Sequence, residues 1–203
     1  WSSDVCSSDL VKQYVCYISK GLVGVDAKTG NFLWRYDKSI DTRFGVHAIT
    51  PVVSGNKVYS AAATACSLAV IGGTGSSFTA EQVYTEKKLP NSLGGPVRVG
   101  DYLYGTTSTS LMCVEFATGK VKWEERSVGA GSLCSVGGML IVHGENGEVA
   151  LVEANPAAYA EKGRFTPGEG PARGQTKAWS YPAVANGKLY VRDLNSIWCY
   201  DIK

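Results

Sequence analysis

The side chains that could carry chemistry are few and widely spaced. Beyond Cys6 near the start, the cysteines are Cys16, Cys66, Cys113, Cys134 and Cys199. No two are adjacent and none form a C-x-x-C pair, so neither a zinc site nor a dithiol redox motif is spelled out. His47 and His143 lie 96 residues apart, without the local spacing of a metal site. The glycine runs GAGS at 129–132 and IGGTGS at 71–76 are not set between a strand and a helix, which a phosphate cradle requires. What remains is a scatter of polar and aromatic residues: Glu145 with Asn146, Trp179 with Tyr181, and Arg192 with Asp193 and Asn195. Arg192 beside Asp193 reads either as an ion pair that fixes a turn or as a contact for an anion or carbonyl. No catalytic set can be assembled from these residues.

The elements that would position them repeat. Four copies of a two-residue turn sit between apolar alternations: VVSGNKVYS, VRVGDYLYG, CSVGGMLIV and AVANGKLYV. Gly and Asn supply the positive φ that type I′ and II′ hairpin turns need, so each copy predicts a tight antiparallel hairpin. The turns lie 45, 37 and 49 residues apart, the period of a four-stranded propeller blade. A third apolar strand ending in an acid recurs as LVGVD, LMCVE, VALVE and IWCYD, with Leu22, Leu111, Val149 and Ile197 in one register. Two copies run on into a fourth strand with identical spacing, VDAKTGNFLW from Val25 to Trp34 and VEFATGKVKW from Val114 to Trp123. In these, Asp26 and Glu115 are expected to cap the turn, Gly30 and Gly119 to take its positive φ, and each Trp to be buried at the join to the next blade.

The expected fold is therefore all-β: a partial propeller of four-stranded antiparallel blades, about 4 to 5 in number, forming an open arc. A partial blade spans 13–36, full blades about 48–87, 92–126 and 132–166, and three strands run from Trp179 to Ile202. The stretch 64–80 is the most degenerate, with Gly72-Gly73 where other copies place an acid, and PGEGPARGQT at 167–176 is a loop. Cys113 and Cys199 share a register and are expected, like the other strand cysteines, to be small buried hydrophobes. Ligands of propellers bind on one face, at loops joining blades and loops between second and third strands. His47, Glu145, Asn146, Trp179, Arg192 and Asp193 are the central-face candidates; His143 is expected to be structural.

Composition narrows the function classes. The 203 residues are 44% hydrophobic and 19% charged with 24 glycines, which excludes general disorder. At this length a domain buries about 70% of the surface its unfolded chain exposes, so disulfides are not needed. The net charge of +2 is spread along the chain, which argues against nucleic acid as a partner. No apolar run is long enough to span a membrane. Residues 1–10, WSSDVCSSDL, lack the basic and apolar regions of a signal peptide. They resemble a translated sequencing adaptor and are expected to be a non-native or disordered tail, leaving 11–203 as one propeller unit.

The segments VDAKTGNFLW and VEFATGKVKW resemble the tryptophan-docking repeat of the quinoprotein, or PQQ-like, β-propeller family, and the resemblance covers nearly everything from residue 11 onward. The ending AWSYPAVANGKLYVRDLNSIWCYDIK resembles the C-terminus of bacterial members. The resemblance implies the C-terminal portion of a longer protein whose N-terminal blades would be natural partners, in an extracytoplasmic or periplasmic setting. It implies one of two functions. The first is a noncatalytic scaffold that binds protein partners, as does the lipoprotein of the outer-membrane β-barrel assembly machine. The alternative is part of a PQQ-dependent alcohol or sugar dehydrogenase whose PQQ, Ca²⁺ and base depend on residues outside this chain. No cofactor is expected in the chain itself.

Overall fold

The computed structural model describes residues 11–39, 49–74, 77–168 and 172–202. Eighteen strands fall there into five consecutive antiparallel sheets. Blade 1 holds β1 (Gln13–Ile18), β2 (Gly21–Asp26) and β3 (Phe32–Tyr36). Blade 2 holds β4 (Val52–Ser54), β5 (Lys57–Ala61), β6 (Cys66–Thr74) and β7 (Ser77–Glu86). In blade 3 are β8 (Val97–Val99), β9 (Tyr102–Thr106), β10 (Leu111–Glu115) and β11 (Val121–Glu125). Blade 4 comprises β12 (Gly131–Val136), β13 (Met139–Gly144), β14 (Val149–Glu153) and β15 (Glu161–Phe165). Blade 5 comprises β16 (Ala183–Ala185), β17 (Lys188–Asp193) and β18 (Ser196–Asp201). No helix interrupts the described residues, and the all-β propeller expectation holds.

Strand composition follows position within a blade. The second and third strands are sandwiched between neighbouring blades, so both faces are covered and they read as continuous apolar runs, as LMCVE in β10 does. Outer strands such as β11 and β15 are largely exposed and carry charges. Among the described residues the core forms four clusters, one at each junction between successive blades. Trp34 and Tyr36 meet Val58 and Ile71 at the first, and Tyr59 and Leu68 meet Leu103 and Met112 at the second. Tyr104, Leu111 and Cys113 meet Leu140 and Val142 at the third, and Ile141 and Val149 meet Leu189 and Val191 at the fourth.

The hairpin turns form as expected, with φ of 60° at Gly55 and Gly100, 56° and 78° at Gly137 and Gly138, and 52° and 69° at Asn186 and Gly187. At the first Thr-Gly turn the Asp26 carboxylate accepts from the backbone N–H of Lys28 at 2.7 Å and of Thr29 at 2.9 Å. Those donors hold its pKa below the ordinary carboxylate value. Glu115, one methylene longer, instead takes the Thr118 hydroxyl.

Four expectations need correction. The degenerate stretch 64–80 forms the longest strand pair, β6 with β7, and Val70 rather than Gly72 occupies the acid's register, opposite Lys57. The last blade begins its strands at Ala183; Trp179 lies in the connection before it. Trp34 is 2% exposed, but Trp123 is only half-buried. Cys66 and Cys113 are buried, but Cys16 and Cys134 are only partly so and Cys199 is exposed.

Candidate functional site at the connection face

An antiparallel meander puts the blade-to-blade connections and the loops between second and third strands at the same end of every sheet. At that end, the residue opposite the third-strand apolar position recurs as a tie to a neighbouring segment. Tyr17 pairs with Leu22, Thr106 with Leu111, His143 with Val149 and Arg192 with Ile197. The Tyr17 hydroxyl donates to the Ala61 carbonyl at 3.2 Å, and Thr106 Oγ1 to the Gly131 carbonyl at 2.5 Å. His143 Nδ1 donates to the Ser180 carbonyl at 3.0 Å, which Ser132 Oγ also reaches at 2.9 Å. Burial lowers the His143 pKa, and its Nε2 is enclosed without a hydrogen-bond partner.

The His143 and Ser132 bonds hold the connection from β15 to β16 against blade 4, and four of the six candidates gather around it. Glu145, in the β13–β14 loop, accepts from the Trp179 indole Nε1 at 3.0 Å and from Lys177 Nζ at 2.7 Å, while its carbonyl takes the Ala178 N–H at 2.9 Å. Trp179 is thereby fixed at its rim while 62% exposed. Arg192 lies at the same connection and donates from Nη1 to Ser180 Oγ at 3.2 Å. Asp193, 6% exposed, does not pair with Arg192; side chains of adjacent strand residues point to opposite faces. Its partner is Arg173, which reaches Oδ1 through Nη1 at 3.1 Å and Oδ2 through Nη2. Asn146 turns back into its own loop, donating to Glu148 at 2.7 Å. His47 lies outside the described residues.

Sequence reasoning missed Arg173 and Lys177. Arg173 stands in the Pro/Gly-rich loop with no local pattern around it. The only sign was Gly147, whose φ of 88° and bare Cα make room for the guanidinium; a Cβ there would lie 2.2 Å from Arg173 Nη2.

Toward the inner strands, which approach one another at β8, β12 and β16, a cavity of about 500 Å³ opens between β4, β8 and β12. Tyr181 closes one side. Its hydroxyl packs so tightly on Gly94 that a Cβ there would come within 1.2 Å of it. Desolvation raises the Tyr181 pKa, opposed by a hydrogen bond with Thr50. A quinone with its calcium ion needs several oxygen ligands converging on the cation. Among the described residues the cavity walls present Pro51, Val52, Val97 and Leu133 with one guanidinium, Arg98, and no carboxylate. Among the described residues no three His, Cys, Asp or Glu side chains come together. These residues do not fit a calcium–quinone site.

A family model described as "Outer membrane protein assembly factor BamB" matches residues 7–125. Among solved structures, BamB from Moraxella catarrhalis is similar with a TM-score of 0.71 and 12% identity, covering 98% of this chain and 57% of its own. The computationally designed Ika8 protein is similar at 0.64 and 9% identity, over 98% of this chain and 57% of that one. The designed Ika4 protein is similar at 0.58 and 9% identity, over 86% of this chain and 99% of that one. The chain thus spans a little over half the length of the BamB and Ika8 chains. No curated protein sequence matches it significantly. No helix among the described residues is long and apolar enough to cross a membrane.

Proposed function

The chain belongs to the family of the outer membrane protein assembly factor BamB, and on that premise we propose that it is a noncatalytic propeller module that docks proteins of the outer-membrane assembly apparatus in the periplasm. The observation that carries this reading is the state of Trp179. A large indole left 62% exposed would ordinarily be mobile, but Glu145 and its partner Lys177 hold its rim in place. Preordered Trp, Tyr and Arg side chains are the residue types that dominate binding energy at protein interfaces, because they bury much area with little entropy left to lose. Arg192 and Tyr181 flank the same connection, so the connection face offers an anchor set suited to a protein partner. Among its described lining residues the cavity between the inner strands offers Arg98 and no carboxylate, which supports this reading.

The test immobilises the chain and measures binding of the purified periplasmic region of an outer-membrane barrel-assembly subunit. Binding that weakens tenfold or more in Trp179→Ala, with unchanged circular dichroism, is the expected result. Absence of binding by the parent chain, or saturable micromolar binding of PQQ with Ca²⁺ by calorimetry, overturns the proposal.

A further inference from the structure

At the hairpin-turn end of the blades, one cross-strand pair recurs. An acid closes a strand and stands opposite the residue that opens the preceding one: Asp26 opposite Gln13, Glu115 opposite Tyr102, Glu153 opposite Met139 and Asp201 opposite Lys188. Where the facing residue is a lysine, the acid neutralises it, and Lys188 Nζ lies 2.6 Å from Asp201 Oδ1. Blade 2 keeps the lysine and lacks the acid, because Lys57 faces Val70. Lys57 is half-buried and has no ion pair among the described residues. Lys57 and Val70 share the face of blade 2 that carries Tyr59 and Leu68 onto blade 3. Arg98 meets them from blade 3, its guanidinium lying over the Phe116 ring at 5.2 Å from the centroid. Lys57 and Arg98 together line a cavity of about 390 Å³, which Ser54 also lines with its hydroxyl. Two carboxylates border the cavity. Asp101 lies 3.6 Å from Arg98 but is 90% exposed, so that contact is weak. Glu115 is turned to the Thr118 hydroxyl of its own turn. Blades 2 and 3 each have a blade on both sides in the chain, so the walls of this cavity are interior to the arc.

We propose that this cavity binds a phosphate group, free or carried on a small ester, which takes the place of the acid that blade 2 lacks. A half-buried ammonium without a counter-charge is costly, and an anion beside it is screened less than one at the open surface. Phosphate suits the pair better than a carboxylate does. It brings about two negative charges and several acceptor oxygens, enough for the point charge of Lys57 and the planar fork of Arg98 at once. Stacking on Phe116 fixes the guanidinium beforehand, so little side-chain freedom is lost on binding.

Titration calorimetry of the full chain at neutral pH and low salt tests this with two probes, inorganic phosphate and phenyl phosphate. Saturable binding of at least one is expected, and the tighter of the two tells a free ion from an ester. Lys57→Gln and Arg98→Gln should each weaken binding by about tenfold or more. Val70→Glu sets a carboxylate opposite Lys57, as Asp201 stands opposite Lys188, and should abolish binding although both cations remain. Thr109→Glu adds the same charge in the loop between β9 and β10, at the other end of blade 3, and should bind as the parent does. Each variant is checked for parental circular dichroism, and Lys57→Gln decides should Val70→Glu not fold. Absence of saturable binding of both probes by the parent overturns the proposal. So does binding that survives Lys57→Gln or Val70→Glu, or that Thr109→Glu weakens as much.

Discussion

His143 donates through Nδ1 to the Ser180 carbonyl at 3.0 Å while its Nε2 is shut away from water with no acceptor. A second proton on this ring would place an uncompensated charge in the junction between blades 4 and 5, with the Arg173 cation nearby. Burial therefore depresses the folded-state pKa below the ordinary value of 6.5, partly opposed by the Ser180 bond and aided by a lesser effect of Arg173. The unfolded chain binds the proton more readily, so stability present above about pH 6.5 is lost as pH falls toward the folded pKa. Urea unfolding at a series of pH values is expected to show His143 contributing a slope of at most about 1.4 kcal/mol per pH unit. His143→Asn should flatten that part of the profile; an unchanged slope refutes the role.

Thr106 makes the same tie one blade earlier, donating to the Gly131 carbonyl at 2.5 Å and accepting the Gly131 N–H at 3.2 Å. Thr106→Val keeps the shape but strands both backbone groups in a buried place. A loss of about 1–3 kcal/mol is expected, read as a shift of the denaturation midpoint with no change in its steepness. A variant as stable as the parent would show that this bond is dispensable.

Removing Arg173 leaves the Asp193 carboxylate buried without its cation. The expected cost of Arg173→Ala is about 3 kcal/mol, toward the lower end for a broken buried pair because Arg173 retains some exposure. Asp193→Asn should cost less, and combining the two should recover part of the loss. Strict additivity in that cycle would mean the pair is not coupled.

Much of the architecture was legible because blade geometry writes itself into local patterns. Hairpin turns demand positive φ, and sandwiched strands demand unbroken apolar runs; Gly137-Gly138 and LMCVE carry those demands in a few residues. The connection face was legible only in part. Glu145, Trp179, Arg192 and Asp193 were visible as polar residues at loop positions, but their partners come from a connection whose course depends on tertiary contacts. Nothing near Arg173 in the chain announces that it will cross to Asp193, twenty residues on. The last blade misled for the opposite reason: Ile197 and Cys199 have the local pattern of core residues, yet both lie exposed on β18.

The two tryptophan segments look alike in sequence and are used differently, and the residue preceding each decides it. Gly24 and Cys113 occupy one register, each at the bulge where the third strand meets the fourth. Over the bare Cα of Gly24 the Trp34 indole lies flat against its own sheet and donates to Gln13 Oε1 at 2.6 Å; a Cβ there would sit 2.2 Å from its Nε1. The Cys113 side chain fills that space in blade 3. Trp123 is accordingly displaced between Tyr104 and Tyr159, at centroid distances of 6.0 and 5.6 Å, and donates to the Asn155 carbonyl at 2.7 Å. Trp34→Ala is expected to cost about 3–5 kcal/mol and Trp123→Ala less, since part of its ring already meets water. Gly24→Cys imports the blade 3 arrangement into blade 1 without removing any side chain. It should drive the indole out of its slot, leave Gln13 without a partner and destabilise by about 1–3 kcal/mol. Tryptophan fluorescence in a Trp123→Phe background should report the move as a red shift with increased quenching by iodide. A Gly24→Cys chain with parental stability and emission would show that the glycine does not set the position of the ring.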